Sequence, residues 1–382
     1  MDSIKRILFD GRFLSLSHAG IGRYSCELLK HLLPLDTKQK YLLLVGSGAT
    51  LDPKLKELLV DRENPVDVIE TQATHYSLSE QLVLPRLLDS LKLDLVHFPH
   101  FNHPVYYRGK FVATIHDLTL SQFARQSPFA KRIAYQYVMG HAARKSERVL
   151  TVSNYVNKQL VKTFNLKKEK VITTYNGVDE QFCNTKDKSS SELFEKYNLK
   201  NPYLLYVGQW REHKNLVRLV EAFYQIANDK RWQGKLDLVF AGRVDPKFPN
   251  LVKRINELSL SDSVKFTGFV EDEDLPAIYA NAEAFVFPSL AEGFGIPGLE
   301  AQSCGTPLIA SDREFFKEIY STGAHYFDPE NVSDIAEKIS QVLDDKALKK
   351  SIVQRGYDNI KRFNWNLTAT KTLEVYREIV YK

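Results

Sequence analysis

Strand-length runs with no polar face occur in two series along this chain of 382 residues. Ile7-Leu8-Phe9, Tyr41-Leu42-Leu43-Leu44-Val45, Leu95-Val96-His97-Phe98, Phe111-Val112-Ala113-Thr114-Ile115 and Arg148-Val149-Leu150-Thr151-Val152 form the first series. Tyr203-Leu204-Leu205-Tyr206-Val207, residues 236–241, Val264-Lys265-Phe266, Ala284-Phe285-Val286-Phe287 and Pro307-Leu308-Ile309-Ala310 form the second. A strand that is apolar on both sides cannot lie against water, so it belongs in a parallel sheet covered by helices on both faces. Stretches of helical spacing, such as 22–33 and 130–143, lie between the runs. Each series therefore reads as a doubly wound α/β domain. The length suits two such domains. We expect them at residues 1–183 and 201–362, joined by a linker over 184–200 that opens on the polar stretch Asn184-Thr185-Lys186-Asp187-Lys188-Ser189-Ser190-Ser191. Residues 363–382 carry a long amphipathic helix pattern. Ligands of open α/β sheets sit beyond the carboxyl ends of the strands, so a cleft between the domains is the expected site.

Composition narrows the setting. No run approaches the roughly 18 apolar residues that cross a bilayer, and the N-terminus Met1-Asp2-Ser3-Ile4-Lys5-Arg6 lacks the sections of a signal peptide. A cytoplasmic location is expected. Cys26, Cys183 and Cys304 show no paired spacing and read as reduced thiols. The net charge is +5, divided unevenly: residues 1–183 hold 25 Lys+Arg and 18 Asp+Glu, residues 184–382 hold 27 and 29. Residues 101–170 alone carry 13 basic and three acidic side chains. Either an anionic partner approaches there, such as a phospholipid surface or a phosphate-linked substrate, or these are solvated helix faces.

The segment Pro288-Ser289-Leu290-Ala291-Glu292-Gly293-Phe294-Gly295-Ile296-Pro297-Gly298-Leu299-Glu300-Ala301 follows a buried strand through a glycine-rich turn. Pro297 suits the first turn of a helix and Gly305 its far end. Backbone N–H groups in such a turn, with the helix start behind them, are ready to bind phosphate or sugar oxygens. Two carboxylates on one edge of that site, Glu292 and Glu300, find donors in a polyhydroxyl ligand. In a second patch, Gly208-Gln209-Trp210-Arg211-Glu212-His213-Lys214-Asn215, an ammonium stands where a helix opens. A departing diphosphate needs such charge compensation.

The first of these segments resembles the Glu, seven residues, Glu motif of retaining GT-B glycosyltransferases in the large family related to sucrose and mannosyl transferases. The resemblance implies that Glu292 faces donor-sugar hydroxyls, that Glu300 binds the ribose, and that the N–H groups of Phe294, Gly295 and Ile296 face sugar and diphosphate. The second patch resembles the Gly-x-x-x-x-x-Lys-Asn stretch of the same family, so Lys214 is expected on the diphosphate. The family's accompanying Arg has no match at its usual place, where Gln209 and Trp210 stand. Arg211 or Arg243 is its alternative. Thr114-Ile115-His116-Asp117-Leu118 resembles the segment whose His contacts the donor sugar, which makes His116 a catalytic candidate; Asp117 either orients the acceptor or caps the next helix. Ala19-Gly20-Ile21-Gly22-Arg23-Tyr24 resembles the family's glycine loop with Ala19 in place of a glycine, and places Gly20 and Gly22 at the donor. A Gly-x-Gly-x-x-Gly dinucleotide motif is not matched there.

His97-Phe98-Pro99-His100-Phe101-Asn102-His103 spaces histidines by three, but Pro99 and Pro104 argue for a loop, and ligands at that spacing need a helix to share one face. It resembles a loop on the family's acceptor side, with His100 facing the acceptor. Thr151-Val152-Ser153-Asn154, Asn176-Gly177, Phe266-Thr267-Gly268-Phe269-Val270 and Phe363-Asn364-Trp365 match further family positions, so the likeness spans nearly the whole chain. It implies a GT-B architecture, two Rossmann-like domains facing a cleft, the first binding acceptor and the second donor, with the C-terminal helix crossing back to the first. The implied partners are a nucleotide diphosphate sugar and a glycan or lipid-diphosphate-linked acceptor, with peripheral contact to an anionic membrane and no nucleic acid. GDP-mannose is the first donor and a UDP-sugar the second. No cofactor is expected, since no lysine is marked for pyridoxal phosphate and Asp272 and Asp274 read as helix N-terminal charge. A sugar-nucleotide epimerase or phosphorylase on the same fold, and a non-catalytic sugar-nucleotide-binding protein, are the alternatives.

Overall fold

The computed structural model describes residues 4–14, 19–119, 129–183, 191–242, 245–246 and 248–382. The chain divides into two compact units, Met1–Gly177 with Asn364–Lys382, and Val178–Phe363. The boundary precedes the one read from the sequence. Phe182 is buried edge-on to Tyr279, 5.9 Å between ring centres. Within the segment read as a linker, residues 184–190 lie outside the described residues, but Ser191–Lys196 is a helix with Leu193 buried, and Tyr197 and Leu199 are buried after it. Burial of these apolar side chains makes the segment part of the second unit.

In the first unit, seven parallel strands are β1 (Arg6–Asp10), β2 (Lys40–Gly46), β3 (Asp67–Thr71), β4 (Leu95–Phe98), β5 (Phe111–Ile115), β6 (Arg148–Thr151) and β7 (Val171–Thr173), in the order β3-β2-β1-β4-β5-β6-β7. Ile7 pairs with Tyr41 on one side and with Leu95 on the other. The winding reverses between β1 and β4, which opens a crevice at their carboxyl ends. The helix Ala19–Leu35 buries Tyr24, Leu28, Leu29, Leu32 and Leu33 in one cluster with Ile7 and Phe9 of β1. The last helix, Trp365–Val380, adds Trp365, Ala369, Leu373, Tyr376 and Ile379 to the same cluster. Its Asn364 cap accepts from the Asn366 N–H at 2.7 Å. Each large buried side chain contributes about 1.5–3 kcal/mol, so this helix is a structural wall of the first unit. Gly177 sits tightly against its start: a Cβ there would lie 2.3 Å from the Trp365 backbone nitrogen.

The second unit holds β8 (Tyr203–Val207), β9 (Asp237–Ala241), β10 (Val264–Gly268), β11 (Ala284–Phe287), β12 (Leu308–Ser311) and β13 (Ala324–Phe327), all parallel, in the order β10-β9-β8-β11-β12-β13. Here the winding reverses between β8 and β11. Strands β3, β7 and β13, not read from the sequence, are all sheet edges. An edge strand has a neighbour on one side only and needs no unbroken apolar run: Asp67-Val68-Ile69-Glu70-Thr71 is exposed over much of its length. No helix among the described residues is long and apolar enough to cross a membrane.

Candidate active site

In the second unit the chain leaves β8 through Gly208 (φ 147°) and Trp210, which is buried against Phe240 and Phe266. A 3-10 turn, Glu212–Lys214, follows; Asn215 then takes a left-handed conformation (φ 61°) and the helix Leu216–Ala227 begins. Lys214 thus closes a turn ahead of the helix, where the sequence placed it at the helix opening. The chain leaves β11 through buried Ser289 and the glycine loop into the helix Ile296–Ser303. Because β8 and β11 are neighbours at the reversal, Lys214 and Glu292 meet although 78 residues apart: Nζ donates to Oε1. The Ser289 hydroxyl donates to the same Oε1 at 2.9 Å. The Leu290 N–H donates to the His213 carbonyl at 2.7 Å, tying one loop to the other. Lys214 also stands over the Phe287 ring, 5.9 Å from its centre.

The glycine loop is held from behind by Tyr320, whose hydroxyl donates to the Gly295 carbonyl at 2.6 Å. Gly295 has φ 92°, and a Cβ there would lie 2.2 Å from the Tyr320 hydroxyl, so only glycine fits. Phe294 is buried edge-on to Phe363. Pro297 lies in the first turn and Gly305 (φ 74°) follows the last. Glu300 is 2% exposed and accepts from the Tyr279 hydroxyl at 3.0 Å. Arg211 is exposed, and donates to Asp245 at 2.8 Å; Arg243 lies outside the described residues. Asp274 precedes the helix Leu275–Ala280, and its carboxylate accepts from Lys196 and Tyr197.

In the first unit His116 follows β5. Its Nε2 lies 2.8 Å from the Pro99 carbonyl, which can only accept, so the proton is on Nε2 and Nδ1 carries a lone pair. Tyr24 packs edge-on against the ring at 4.7 Å. Burial pushes the His116 pKa below its ordinary value, against the pull of the Pro99 bond and Asp117. The imidazole is neutral at pH 7. Asp117 caps the next turn by accepting from the Thr119 N–H at 2.8 Å. Gly20 and Gly22 lie in the first turn of the helix Ala19–Leu35, which starts three residues before the expected Gly22; His18 falls outside the described residues.

His97, His100 and His103 face different partners. His97 bonds Thr114 at 2.8 Å through Nε2, His100 accepts from the Asn102 N–H at 3.1 Å, and His103 donates to the Phe101 carbonyl at 2.9 Å. Among the described residues no group of three or more His, Cys, Asp or Glu is disposed to hold a metal.

Sequence reasoning missed a buried ionic cluster at the end of β1. The Arg12 guanidinium donates to Asp10 through Nε (2.8 Å) and Nη2 (2.7 Å), and Nη2 also reaches Glu80 Oε1 at 2.8 Å. Nη1 donates to the Ala73 carbonyl at 3.1 Å, and Asn102 Nδ2 to Glu80 Oε1 at 2.7 Å. Burial works against ionising Asp10, but Arg12 more than offsets it and its pKa lies below the ordinary value. Burial keeps Glu80 above its ordinary value despite Arg12 and Asn102. The available signal was an Asp-Gly-Arg immediately after a buried strand, where an arginine needs partners.

The sequence profile described as Glycosyltransferase Family 4 matches residues 19–182, and that described as Glycosyl transferases group 1 matches residues 189–359. O-antigen chain mannosyltransferase B of Escherichia coli is 28% identical over 97% of this chain and 99% of its own length. O-antigen chain mannosyltransferase RfbU of Salmonella typhimurium is 30% identical over 66% of this chain and 68% of its own. A glycosyltransferase of Rickettsia africae has a similar structure, with a TM-score of 0.73 at 20% identity over 99% of both chains. Anabaena HepE, solved with UDP and glucose, gives a TM-score of 0.73 at 19% identity over 98% of this chain and 100% of that one. Two parallel Rossmann-like sheets, a lysine and a glutamate joined where the second one reverses, and matches along both units place this chain in the group 1 glycosyl transferases, of GT-B fold.

Proposed function

We propose that this protein is a retaining hexosyltransferase of surface polysaccharide synthesis, moving mannose from GDP-mannose to a glycan or lipid-diphosphate-linked acceptor without a metal. The observation that carries the reading is the Lys214–Glu292 pair beside the glycine loop, at the sheet reversal where α/β proteins bind ligands. The likeness to O-antigen mannosyltransferases over nearly the full chain supports the choice of sugar. In this reading Lys214, Arg211 and the N–H groups of Phe294, Gly295 and Ile296 bind the diphosphate as the bond from the anomeric carbon to its oxygen breaks. The acceptor oxygen attacks on the face the diphosphate leaves, and its proton passes to the departing diphosphate oxygen. Glu292 Oε1 is held by Lys214 and Ser289, which leaves Oε2 to accept from a sugar hydroxyl. Glu300 binds the ribose, and His116 offers its Nδ1 lone pair to a donor-sugar hydroxyl. Gly20 and Gly22 let the backbone approach the donor. His100 and Asp117 belong to the acceptor's side. The basic 101–170 stretch of the first unit meets an anionic membrane.

Release of GDP in the presence of acceptor tests the activity. Lys214→Ala and Glu292→Ala are each expected to lower kcat by about 10²–10³, the cost of removing one preorganised charge-stabilising group. Binding of donor without release in any acceptor mixture would instead identify a non-catalytic sugar-nucleotide-binding protein. A thermal shift with UDP but none with GDP or GDP-mannose would exclude the mannosyl donor. Product with inverted anomeric configuration by NMR would exclude retention, and co-sedimentation with liposomes that ignores anionic lipid content would exclude the membrane contact.

A further inference from the structure

The connection after β3 ends at the opposite side of its half-sheet. From that edge the chain comes to the carboxyl ends of β1 and β4, where Ala73 accepts from Arg12 and Glu80 is bound by Arg12 and Asn102. Between those anchors stands Tyr76, a bulky residue at φ 59°, in the left-handed region that glycine favours. Its N–H donates to Glu80 Oε2 at 2.9 Å, so the same buried ionic cluster that closes the connection also holds the strained backbone. The strain does not bury the residue: Tyr76 is 48% exposed, with its hydroxyl 3.5 Å from His100 Nδ1. Backbone strain held by an over-determined surrounding points to a functional position.

The neighbours of that ring are chemically suggestive. His100 lies edge-on to it, 6.2 Å between ring centres, and is itself 6% exposed. Its Nδ1 accepts from the Asn102 N–H, so the proton is on Nε2, which has no hydrogen-bond partner among the described residues. Tyr135 meets the Tyr76 ring from another side at 5.3 Å. An exposed aromatic face is electron-rich and suits the C–H side of a pyranose, whose hydrogens are slightly positive. A buried donor at its edge suits a hydroxyl.

We propose that Tyr76 and His100 form a platform for a sugar ring of the acceptor glycan, Tyr76 stacking on the ring and the His100 Nε2–H donating to a hydroxyl. The inference rests on the transferase reading above. To the acceptor's side, where that reading already puts His100, it adds Tyr76, and it assigns the Asp10–Arg12–Glu80 cluster a positioning role, holding Tyr76 in a conformation it would not otherwise adopt. Tyrosine suits the task because it offers a large contact area and loses little rotamer freedom on binding.

Saturation-transfer NMR with methyl α-mannopyranoside, needing no donor, tests it on the full chain. The unaltered protein is expected to transfer saturation to the sugar C–H protons, and Tyr76→Phe to retain that transfer because the ring remains. Tyr76→Gly is expected to lose it by about fivefold or more while its Tm stays level or rises, since glycine relieves the left-handed backbone. No transfer in the unaltered protein, or equal transfer in Tyr76→Gly, overturns the proposal. GDP thermal shifts on the same samples keep the two readings apart: a sugar signal that depends on Tyr76 without any GDP shift supports this platform and counts against the donor.

Discussion

Replacing Arg12 by Met is expected to destabilise the first unit heavily. The guanidinium is the shared partner of Asp10 and Glu80, which are 1% and 0% exposed. Removing it leaves two carboxylates buried without their cation, a change that costs about 3–5 kcal/mol. For a unit of this size about 2–4 °C is lost per kcal/mol, so its Tm should fall by about 6–20 °C. Calorimetry reads the transition, and Trp365, which packs in the first unit's core, reports it by fluorescence in a Trp210→Phe, Trp232→Phe background. The pH dependence gives a second test. In the parent protein Asp10 is held below its ordinary pKa, so its stabilisation is present above the unfolded carboxylate range and is lost as pH falls. Glu80 is raised, so its contribution has the opposite sign and is lost as pH rises through its folded value. Without Arg12, burial pushes both carboxylates up and the Asp10 charge adds to it at Glu80, against the smaller pull of His75 and Asn102, so acidification from pH 7 to 5 should relieve the variant. The stability gap between parent and variant therefore narrows as pH falls. Adding Asp10→Asn and Glu80→Gln to Arg12→Met should recover much of the loss, since neutral groups need no cation. A gap below about 1 kcal/mol, smaller than breaking a buried pair costs, or one that does not change with pH, would refute the argument.

Gly298→Ala should lower the Tm of the second unit alone, by an overpacking cost of about 1–3 kcal/mol, because its Cβ would lie 2.4 Å from the Tyr320 ring; calorimetry would resolve the two units. Burial pushes His97 down to about 3, so the unfolded chain binds a proton below pH 6.5 that the folded one refuses, and stability falls as pH drops through that window. By pH 5 this amounts to about 2 kcal/mol, and urea midpoints of parent and His97→Gln should converge or cross between pH 7 and 5. Ser153 accepts from the Val156 N–H at 3.2 Å to cap the helix Asn154–Phe164, so Ser153→Ala should cost about 1 kcal/mol in urea unfolding followed by fluorescence.

The interior of both sheets was legible because a strand buried on two faces must be apolar throughout, as Phe111 to Ile115 and Ala284 to Phe287 are. The edges escaped for the converse reason: β3 and β7 sit where one neighbour suffices, and β7 is three residues long. The glycine loop could be read locally, since Gly295, Pro297 and Gly305 each answer a backbone demand within one turn of chain. The resemblance put Lys214 and Glu292 at one donor site, but their direct bond was not read, because it depends on β8 lying beside β11. The Arg12 cluster showed only its near half, the Asp-Gly-Arg after β1; its distant partners were hidden. Its partners come from positions 10, 80 and 102, and nothing in the local pattern around Glu80, in a five-residue helix with Leu78 and Leu82 exposed, marks that carboxylate as buried.

The return of Trp365–Val380 to the first unit sets an order on folding during synthesis. The second unit is one unbroken stretch, Val178–Phe363, and has all its strands before the last helix is made. The first unit, although begun earlier, lacks one wall of its core until Tyr376 and Ile379 leave the ribosome. For the roughly ten to forty seconds that some 200 residues take to translate, the apolar surface of Ala19–Leu35 awaits its partner. A nascent chain halted near residue 363 is expected to present a finished second unit and an unfinished first one. The first unit's vulnerability to chaperones and proteases then depends on the final nineteen residues, and a synthetic peptide of residues 364–382 supplied in trans is the reagent that would complete it.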